Sequence, residues 1–127
     1  MLIGDSAGAG SIALQLLAYG GAPTTLFAGV FGMSPFLPTQ LKVSELEWQF
    51  DLFATRAGCG TVQDPLSCLR NKSSEELQVI NTGMAYPGRT AIALSPYTPT
   101  IDGDLIRDLP YRSFQQGLFV KVPSVFG

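Results

Sequence analysis

The longest stretch of this sequence without a charged residue runs from Ser6 to Leu41, and it restricts the fold more than any other feature. A short apolar run, residues 1–3, precedes it. Apolar residues then recur at helical spacing over 6–19, before Gly20-Gly21 ends the pattern. Residues 26–33 are continuously apolar, which is typical of a buried strand. Because strand, helix and strand in this order join parallel strands through a right-handed crossover, we expect an α/β sheet with the helix on one face.

The charge content indicates that much of the chain lies in an interior. Only 14% of the 127 residues are charged and the formal net charge is -2, whereas about 25% charged residues is usual in soluble domains. A free-standing domain of this size needs a polar surface. We therefore expect the chain to be the interior of a larger domain rather than a complete domain. No cluster of basic residues favours binding to nucleic acid.

The uncharged stretch does not have the form of a membrane span. A transmembrane helix needs about 20 mostly apolar residues in succession, and this stretch is interrupted by Gly8, Gly10, Gln15 and Pro23 among others. No basic residue precedes it, so it does not resemble a signal peptide. We expect no transmembrane segment, and we expect the signal of a secreted protein to lie upstream of these residues.

The rest of the chain carries shorter patterns. Apolar spacing predicts a helix over 41–57 and a short helix over 65–70. A third helix is expected from Ser73, because Ser73 and Glu76 have the spacing of a capping box. Strand-like runs are predicted at 90–94, at 100–106 with a tight turn at Asp102-Gly103, and at 118–125.

Histidine is absent and cysteine occurs twice, which narrows the available chemistry. Without histidine the chain has no imidazole base and no imidazole metal ligand, and two cysteines are too few for a thiolate zinc site. We expect no metal and no cofactor. Cys59 and Cys68 would either form a disulfide, which stabilises a short loop by about 2.5 to 3 kcal/mol, or remain buried thiols. The turn formers Asp64-Pro65 between them favour the disulfide.

A modification pattern follows the cysteines. Asn71-Lys72-Ser73 matches the acceptor pattern for N-glycosylation. Together with a disulfide, it indicates a secreted protein in oxidising surroundings.

One motif carries chemistry. Gly4-Asp5-Ser6-Ala7-Gly8 fits G-x-S-x-G and lies between a strand end and a helix start, the setting that this pattern requires. Such a turn strains the serine and exposes its hydroxyl, and we expect a side chain at Gly4 or Gly8 to collide with the neighbouring strand or helix. The helix N-terminus favours an anion beside Ser6, with the Ala7 N–H as one oxyanion donor. This predicts Ser6 as a nucleophile; the alternative is a helix start that binds phosphate or only packs closely.

The octet from Gly4 to Ser11 resembles the signature of the type B carboxylesterase and lipase family, which includes the cholinesterases and the fungal lipases. Further matches occur in the family's order: Ala18-Tyr19-Gly20-Gly21, Leu26-Phe27-Ala28-Gly29, Ser34-Pro35, Ala57-Gly58-Cys59 to Cys68-Leu69-Arg70, and Pro99-Thr100-Ile101-Asp102-Gly103. The fungal lipases look most similar. The resemblance implies an α/β-hydrolase fold, hydrolysis of small-molecule or lipid carboxylic esters, a supporting role for Asp5, and a family disulfide between Cys59 and Cys68.

Enzymes of this kind also need a glycine-rich oxyanion loop before the nucleophile, and an acid and a histidine after it. The resemblance places the acid just beyond the run at 118–125. Asp102 and Asp104 are better explained by a turn, and Glu75 and Glu76 by a capped helix start. The resemblance therefore implies that residues 1–127 are the central fragment of a single α/β-hydrolase domain, incomplete at both ends, and we expect them alone to be nearly inert.

The leading hypothesis is a serine ester hydrolase in which Ser6 attacks the ester and other sequence supplies the acid and the histidine. Phe36 and Leu37 follow a strand end close to the nucleophile and would line an acyl pocket, or else belong to the core. One alternative is a non-catalytic member of the same fold used for binding or adhesion, although such proteins generally lose the serine. The other is a truncated product without a stable fold.

Overall fold

The computed structural model describes residues 1–92 and 95–127, which form two compact units. Residues 1–42 and 98–127 form the sheet unit, and residues 43–97 the cysteine unit. Along the chain the elements are β1 (Leu2–Asp5), α1 (Ala7–Gly21), β2 (Val30–Met33), α2 (Val43–Arg56), α3 (Pro65–Arg70), α4 (Ser74–Ile80), α5 (Pro110–Gln115) and β3 (Ser124–Phe126).

The three strands form a parallel sheet in the order β1-β2-β3. Leu2 pairs with Val30 and Asp5 with Met33, while Val30 lies opposite Ser124 on the other side. α1 connects β1 to β2 and packs against both strands. The predicted α/β class with parallel strands is confirmed.

The core of the sheet unit lies between α1 and the sheet. Side chains alternate between the two faces of a strand, so Leu2 packs against this core while Ile3 is 64% exposed. Full burial of a side chain such as Leu16 contributes about 2 kcal/mol. The buried cluster consists of Ile12, Leu16, Phe27, Val30 and Val120, with Leu2, Phe114, Phe119 and Val122 packed against it.

The strand predicted over 26–33 is shorter than expected. Leu26 is 87% exposed, and its N–H donates to the Thr24 hydroxyl at 3.1 Å. This local turn keeps it out of the sheet. β2 begins only at Val30, whose N–H donates to the carbonyl of Pro123 at 2.9 Å.

The end of α1 also differs from the prediction. The backbone leaves helical angles at Ala18, and Tyr19 has φ 54° and an exposed side chain, so Tyr19 does not extend the apolar face of the helix. The N–H of Tyr19 donates to the carbonyl of Leu105 at 2.9 Å. Gly20 and Gly21 both have positive φ and close the element, but regular helical angles already end before Ala18.

Residues 118–125 do not form the single buried strand that their composition predicts. The N–H of Val120 donates to the carbonyl of Leu16 on α1 at 2.8 Å rather than to a strand. Pro123 has no N–H to donate to a neighbouring strand, and proline is typically found at the boundary of a strand. β3 therefore covers only Ser124–Phe126, and all three residues are exposed.

The helix α5 has no counterpart in the sequence-based prediction. Pro110 occupies its first turn, where a missing N–H costs nothing. An ion pair of 3.2 Å joins Asp108 to Arg112 across that turn. These signals are local and present in the sequence, but the segment is too short to show helical periodicity.

Residues 100–106 are a turn rather than a strand. Ile101 makes one parallel bridge with Lys42, and the predicted turn at Asp102-Gly103 is present, with φ 82° at Gly103. One carboxylate oxygen of Asp102 accepts the N–H groups of Asp104 and Ile106 at 3.0 and 2.9 Å. These bonds close the segment on itself. In the run predicted at 90–94, Ile92 bridges Ala85, and residues 93–94 lie outside the described residues.

The cysteine unit follows its predicted pattern closely. The helix expected over 41–57 is α2, and α3 has the predicted bounds of 65–70. Ser73 caps α4 with the expected capping box: its hydroxyl accepts the N–H of Glu76 and the Glu76 carboxylate accepts the N–H of Ser73. Ala54, Cys59 and Leu69 form the buried cluster of this unit.

Candidate active site

Ser6 occupies the single residue between β1 and α1, with φ 53° and ψ -116°. Few residues other than glycine adopt a positive φ, and such a conformation costs about 1–3 kcal/mol. It persists only where surrounding contacts hold it. The strand, the sharp turn and the helix are therefore all present around the predicted serine.

Hydrogen bonds hold the main chain of Ser6 on both sides. Its N–H donates to the carbonyl of Met33 at 2.9 Å. Its carbonyl accepts two N–H groups at 3.0 Å each, from Gly10 in the first turn of α1 and from Phe36 after β2. The two peptide groups that flank the Ser6 side chain are thus fixed to three different parts of the sheet unit.

The side chain of Ser6 is exposed, and it does not cap the helix that it precedes. The hydroxyl of a serine at this position usually accepts an N–H of the first helical turn. Ser6 has a positive φ, and its hydroxyl accepts no such N–H. The first amides of α1, beginning with Ala7, have no acceptor within the helix. An exposed hydroxyl therefore lies beside N–H groups at the positive end of a helix.

The glycines on either side of Ser6 differ. A Cβ on Gly4 would lie 2.6 Å from the carbonyl carbon of Gly8 and 2.9 Å from the nitrogen of Ala9, so the predicted collision is present there. A Cβ on Gly8 would meet no described atom within 4 Å, so the predicted collision at Gly8 is wrong. Gly8 lies on the exposed side of the first helical turn, next to the exposed Asp5 and Ala7 in sequence.

Phe36 and Leu37 lie in the turn that follows β2. Phe36 reaches Ser6 through its backbone N–H, and the two side chains are 45% and 39% exposed. A Cβ on Gly10 would collide with the carbonyl oxygen of Phe36 and come within 3.6 Å of Leu37 Cδ2. The structure thus brings this turn against the first turns of α1.

The sequence-based prediction gave no structural role to two residues near Ser6. Ser34 has φ 45°, and Gly10 gives the Phe36 carbonyl the space it occupies. A glycine inside a helix costs about 1 kcal/mol relative to alanine, so Gly10 was a detectable signal. The φ of Ser34 has no comparable signal in the sequence.

The carboxylates considered as a catalytic acid are engaged in local structure. The backbone N–H groups of Ile106 and Asp104 hold the pKa of Asp102 below its usual range. In the cysteine unit, the Ser73 N–H and the neighbouring Lys72 lower the pKa of Glu76, and backbone hydrogen bonding lowers that of Glu75. Each of these groups stabilises a turn or a helix start.

Cys59 and Cys68 form a disulfide with a Cα–Cα distance of 5.8 Å, so the alternative of two free thiols is wrong. Asn71 follows immediately after α3 with an exposed side chain, and its N–H donates to the carbonyl of Cys68 at 3.2 Å. Among residues 1–92 and 95–127, no group of three or more acidic, cysteine or histidine side chains could hold a metal ion. No helix in that part of the chain is long and apolar enough to cross a membrane.

Comparison with known proteins places this chain in a family. Lipase 2 and Lipase 1 of Geotrichum candidum are 34% and 33% identical to the chain over 142 aligned residues, which cover 100% of the chain and 24% of each lipase. The crystal structure of Aspergillus niger EstA superposes with a TM-score of 0.91 at 43% identity, over 96% of this chain and 24% of that one. The chain therefore spans about a quarter of the length of these relatives. The family model for the carboxylesterase family matches residues 1–127, and the chain belongs to that family.

Proposed function

We propose that the chain is the nucleophile-bearing segment of a serine hydrolase that cleaves carboxylic esters, of the carboxylesterase or lipase type. The observation that carries this proposal is Ser6: an exposed, uncapped hydroxyl on a residue of positive φ between β1 and α1. The names of the two lipase relatives support ester hydrolysis. The substrates would be small-molecule or lipid carboxylic esters.

In this mechanism the Ser6 hydroxyl oxygen attacks the ester carbonyl carbon as a base removes its proton. The carbonyl oxygen becomes an oxyanion, and the Ala7 N–H at the start of α1 donates to it. Loss of one such donor costs about 3 to 4 kcal/mol in the transition state. The alcohol leaves with the proton returned by the base, and water then releases the acid from Ser6 by the same route.

A histidine base cannot come from these residues, because the chain contains no histidine. Without a base the Ser6 hydroxyl keeps its proton at neutral pH and is a weak nucleophile. Since the chain spans 24% of its relatives, we place the histidine, the acid and the glycine-rich loop in sequence outside these residues. The 127 residues alone should then hydrolyse esters about four to six powers of ten more slowly than the parent.

Phe36 and Leu37 are our proposed lining of the acyl pocket. Both side chains are partly exposed, and the Phe36 backbone is bonded to Ser6. Replacement of Leu37 by Ala would change the preference among acyl chain lengths rather than the rate on the shortest ester. Parallel kinetics on acetate and octanoate esters would show this, and an equal change on both would remove Leu37 from the pocket.

A fluorophosphonate reagent tests the nucleophile. It should phosphonylate Ser6 in the protein expressed from its own gene, and peptide mass spectrometry locates the adduct. Ser6→Ala should abolish both the adduct and ester hydrolysis. An adduct on another residue would refute the assignment of Ser6, and a protein that neither reacts nor hydrolyses esters would favour a non-catalytic binding role.

The formed disulfide and the exposed sequon support a further part of the proposal, that the protein is secreted and carries a glycan on Asn71. Disulfides persist in oxidising compartments. Treatment of the protein from its native host with peptide-N-glycosidase should convert Asn71 to Asp in the peptide mass spectrum. Recovery of the unmodified Asn71 peptide before treatment would contradict glycosylation.

A further inference from the structure

The segment Met33–Phe36, which starts at the last residue of β2, holds the main chain of Ser6 on both sides. Met33 accepts the N–H of Ser6 at 2.9 Å, and Phe36 donates to the carbonyl of Ser6 at 3.0 Å. These two partners are separated by only Ser34 and Pro35. One short segment therefore bonds to both peptide groups that determine where the Ser6 side chain points.

The shape of this segment depends on Ser34. Its φ of 45° lies in the left-handed region, which reverses the chain directly after the last paired residue of β2. With an extended Ser34 the chain would continue along the strand direction, and Phe36 would move away from Ser6. Proline at position 35 has a fixed φ, and Ser34 is the residue of this segment that has a left-handed φ.

The approach of the segment to α1 depends on Gly10. A Cβ at this position would collide with the carbonyl oxygen of Phe36 and lie 3.0 Å from its carbonyl carbon. Gly10 also donates its own N–H to the Ser6 carbonyl, beside the Phe36 N–H. A side chain here would displace Phe36 while the helix remained in place.

We infer that Ser34 and Gly10 are positioning residues for Ser6. The left-handed φ of Ser34 and the missing side chain of Gly10 let the Met33–Phe36 turn clamp the strained serine. Both would act through the main chain of Ser6 rather than on substrate. This inference rests on the proposed function, since it concerns the reactivity of Ser6 as a nucleophile.

Substitutions at position 34 separate backbone geometry from side-chain chemistry. Ser34→Gly removes the hydroxyl and permits a left-handed φ. Ser34→Asn also removes the hydroxyl, and asparagine tolerates a left-handed φ. Ser34→Val is β-branched and strongly disfavours it. Each variant is made in the protein expressed from its own gene, and three quantities are measured. They are the rate of Ser6 phosphonylation at saturating fluorophosphonate, the dependence of that rate on reagent concentration, and the melting temperature.

We expect Ser34→Gly and Ser34→Asn to react at nearly the rate of the unaltered protein. Ser34→Val should lose about 10²-fold in the saturating rate, the size of effect expected when a reacting group is displaced by about 1 Å. The fluorophosphonate concentration that gives half of the saturating rate should change little. Gly10→Ala, which acts on the other side of the clamp, should show the same loss and provides the test if Ser34→Val does not fold.

The outcomes distinguish this inference from the proposed function. Equal rates for Ser34→Val and Ser34→Gly, with Gly10→Ala also unaffected, would overturn the clamp while Ser6 remained the nucleophile. Slow reaction of all variants in proportion to a lowered melting temperature would show a structural role only and would also overturn it. Absence of any adduct on Ser6 in the unaltered protein would refute the proposed function, and the clamp with it.

Discussion

Two short segments of this chain are held rigid by different means. At the elbow, residues 4–10, a strained serine is fixed by main-chain hydrogen bonds to Met33 and Phe36, which are distant in sequence. In the cysteine segment, residues 59–76, the disulfide spans nine residues. The two helices of that segment are capped by their own neighbours, Asp64 and Ser73.

The difference teaches where strain is tolerated. The disulfide and both helix caps of the cysteine segment join residues that are close in sequence, and its helices start from relaxed caps, so these devices add stability. The elbow instead holds Ser6 in a backbone conformation that costs about 1–3 kcal/mol. The side chain of this strained residue is exposed. Local devices suffice for a scaffold, whereas a strained site needs support from several parts of the fold.

The largest expected effect separates activity from stability at the elbow. Ser6→Ala should lower ester hydrolysis by about four to six powers of ten while leaving the melting temperature nearly unchanged. Ser6→Gly should be equally inactive but melt higher than Ser6→Ala, because glycine relieves about 1–2 kcal/mol of left-handed strain. Hydrolysis of a chromogenic ester and thermal unfolding are the two measurements. A lower melting temperature for Ser6→Gly would contradict strain at this position.

The second effect concerns stability alone. Replacing both Cys59 and Cys68 by Ala should lower the free energy of unfolding by about 2.5 to 3 kcal/mol, because the unfolded chain loses its cross-link. Denaturant unfolding of the variant measures this, and reductant acting on the unaltered protein is the control. The phosphonylation rate of Ser6 should be retained in folded protein. A large loss of that rate would show that the cysteine segment is not merely scaffold.

The same contrast explains how much could be predicted from the sequence. The bounds of α3 and the capping box at Ser73 were predicted correctly, because each depends on residues within one or two helical turns. The strand–turn–helix setting of Ser6 was also predicted, since its motif is continuous in sequence. Element type could therefore be predicted where local contacts form a recognisable motif, whereas α5 was missed and residues 100–106 were predicted as a strand although the contacts of both are local.

The errors have two sources, which are contacts between distant residues and local turns that do not follow the apolar pattern. Residues 118–125 are apolar enough for a strand, but Val120 bonds to α1 instead of to a neighbouring strand. The exposure of Leu26 and the left-handed φ of Ser34 depend on local turns that apolar composition does not reveal. In the candidate site, the serine could be found from its motif, but the turn that holds it could not.

A third prediction compares two glycines of the elbow. Gly4→Ala should destabilise the protein by about 1–3 kcal/mol, since its Cβ would lie 2.6 Å from the Gly8 carbonyl carbon and the backbone must shift. Gly8→Ala should be neutral or stabilising by up to about 1 kcal/mol, because the position is helical and open. Thermal unfolding of the pair gives the comparison. If both variants were equally destabilised, the space at Gly8 would be filled in the whole protein.

The smallest effect tests the local caps of the cysteine segment. Ser73→Ala should lower the free energy of unfolding by about 1 kcal/mol, since the first turn of α4 loses its hydroxyl acceptor. Because this change also removes the sequon, Asn71→Gln is the matched control: it removes the sequon and keeps the cap. Ser73→Thr keeps both. Denaturant unfolding of the three variants should therefore show a loss for Ser73→Ala beyond that of Asn71→Gln.

The contribution of this cap should also depend on pH. The Ser73 N–H lowers the pKa of Glu76 in the folded protein, chiefly by hydrogen bonding to its carboxylate. A lowered folded pKa means that the stabilisation is present above the ordinary pKa of glutamate and is lost as the pH falls through the folded value. Glu76→Gln should thus reduce stability at neutral pH and converge with the unaltered protein in acid. A constant difference across that range would assign the effect of Glu76 to packing rather than to its charge.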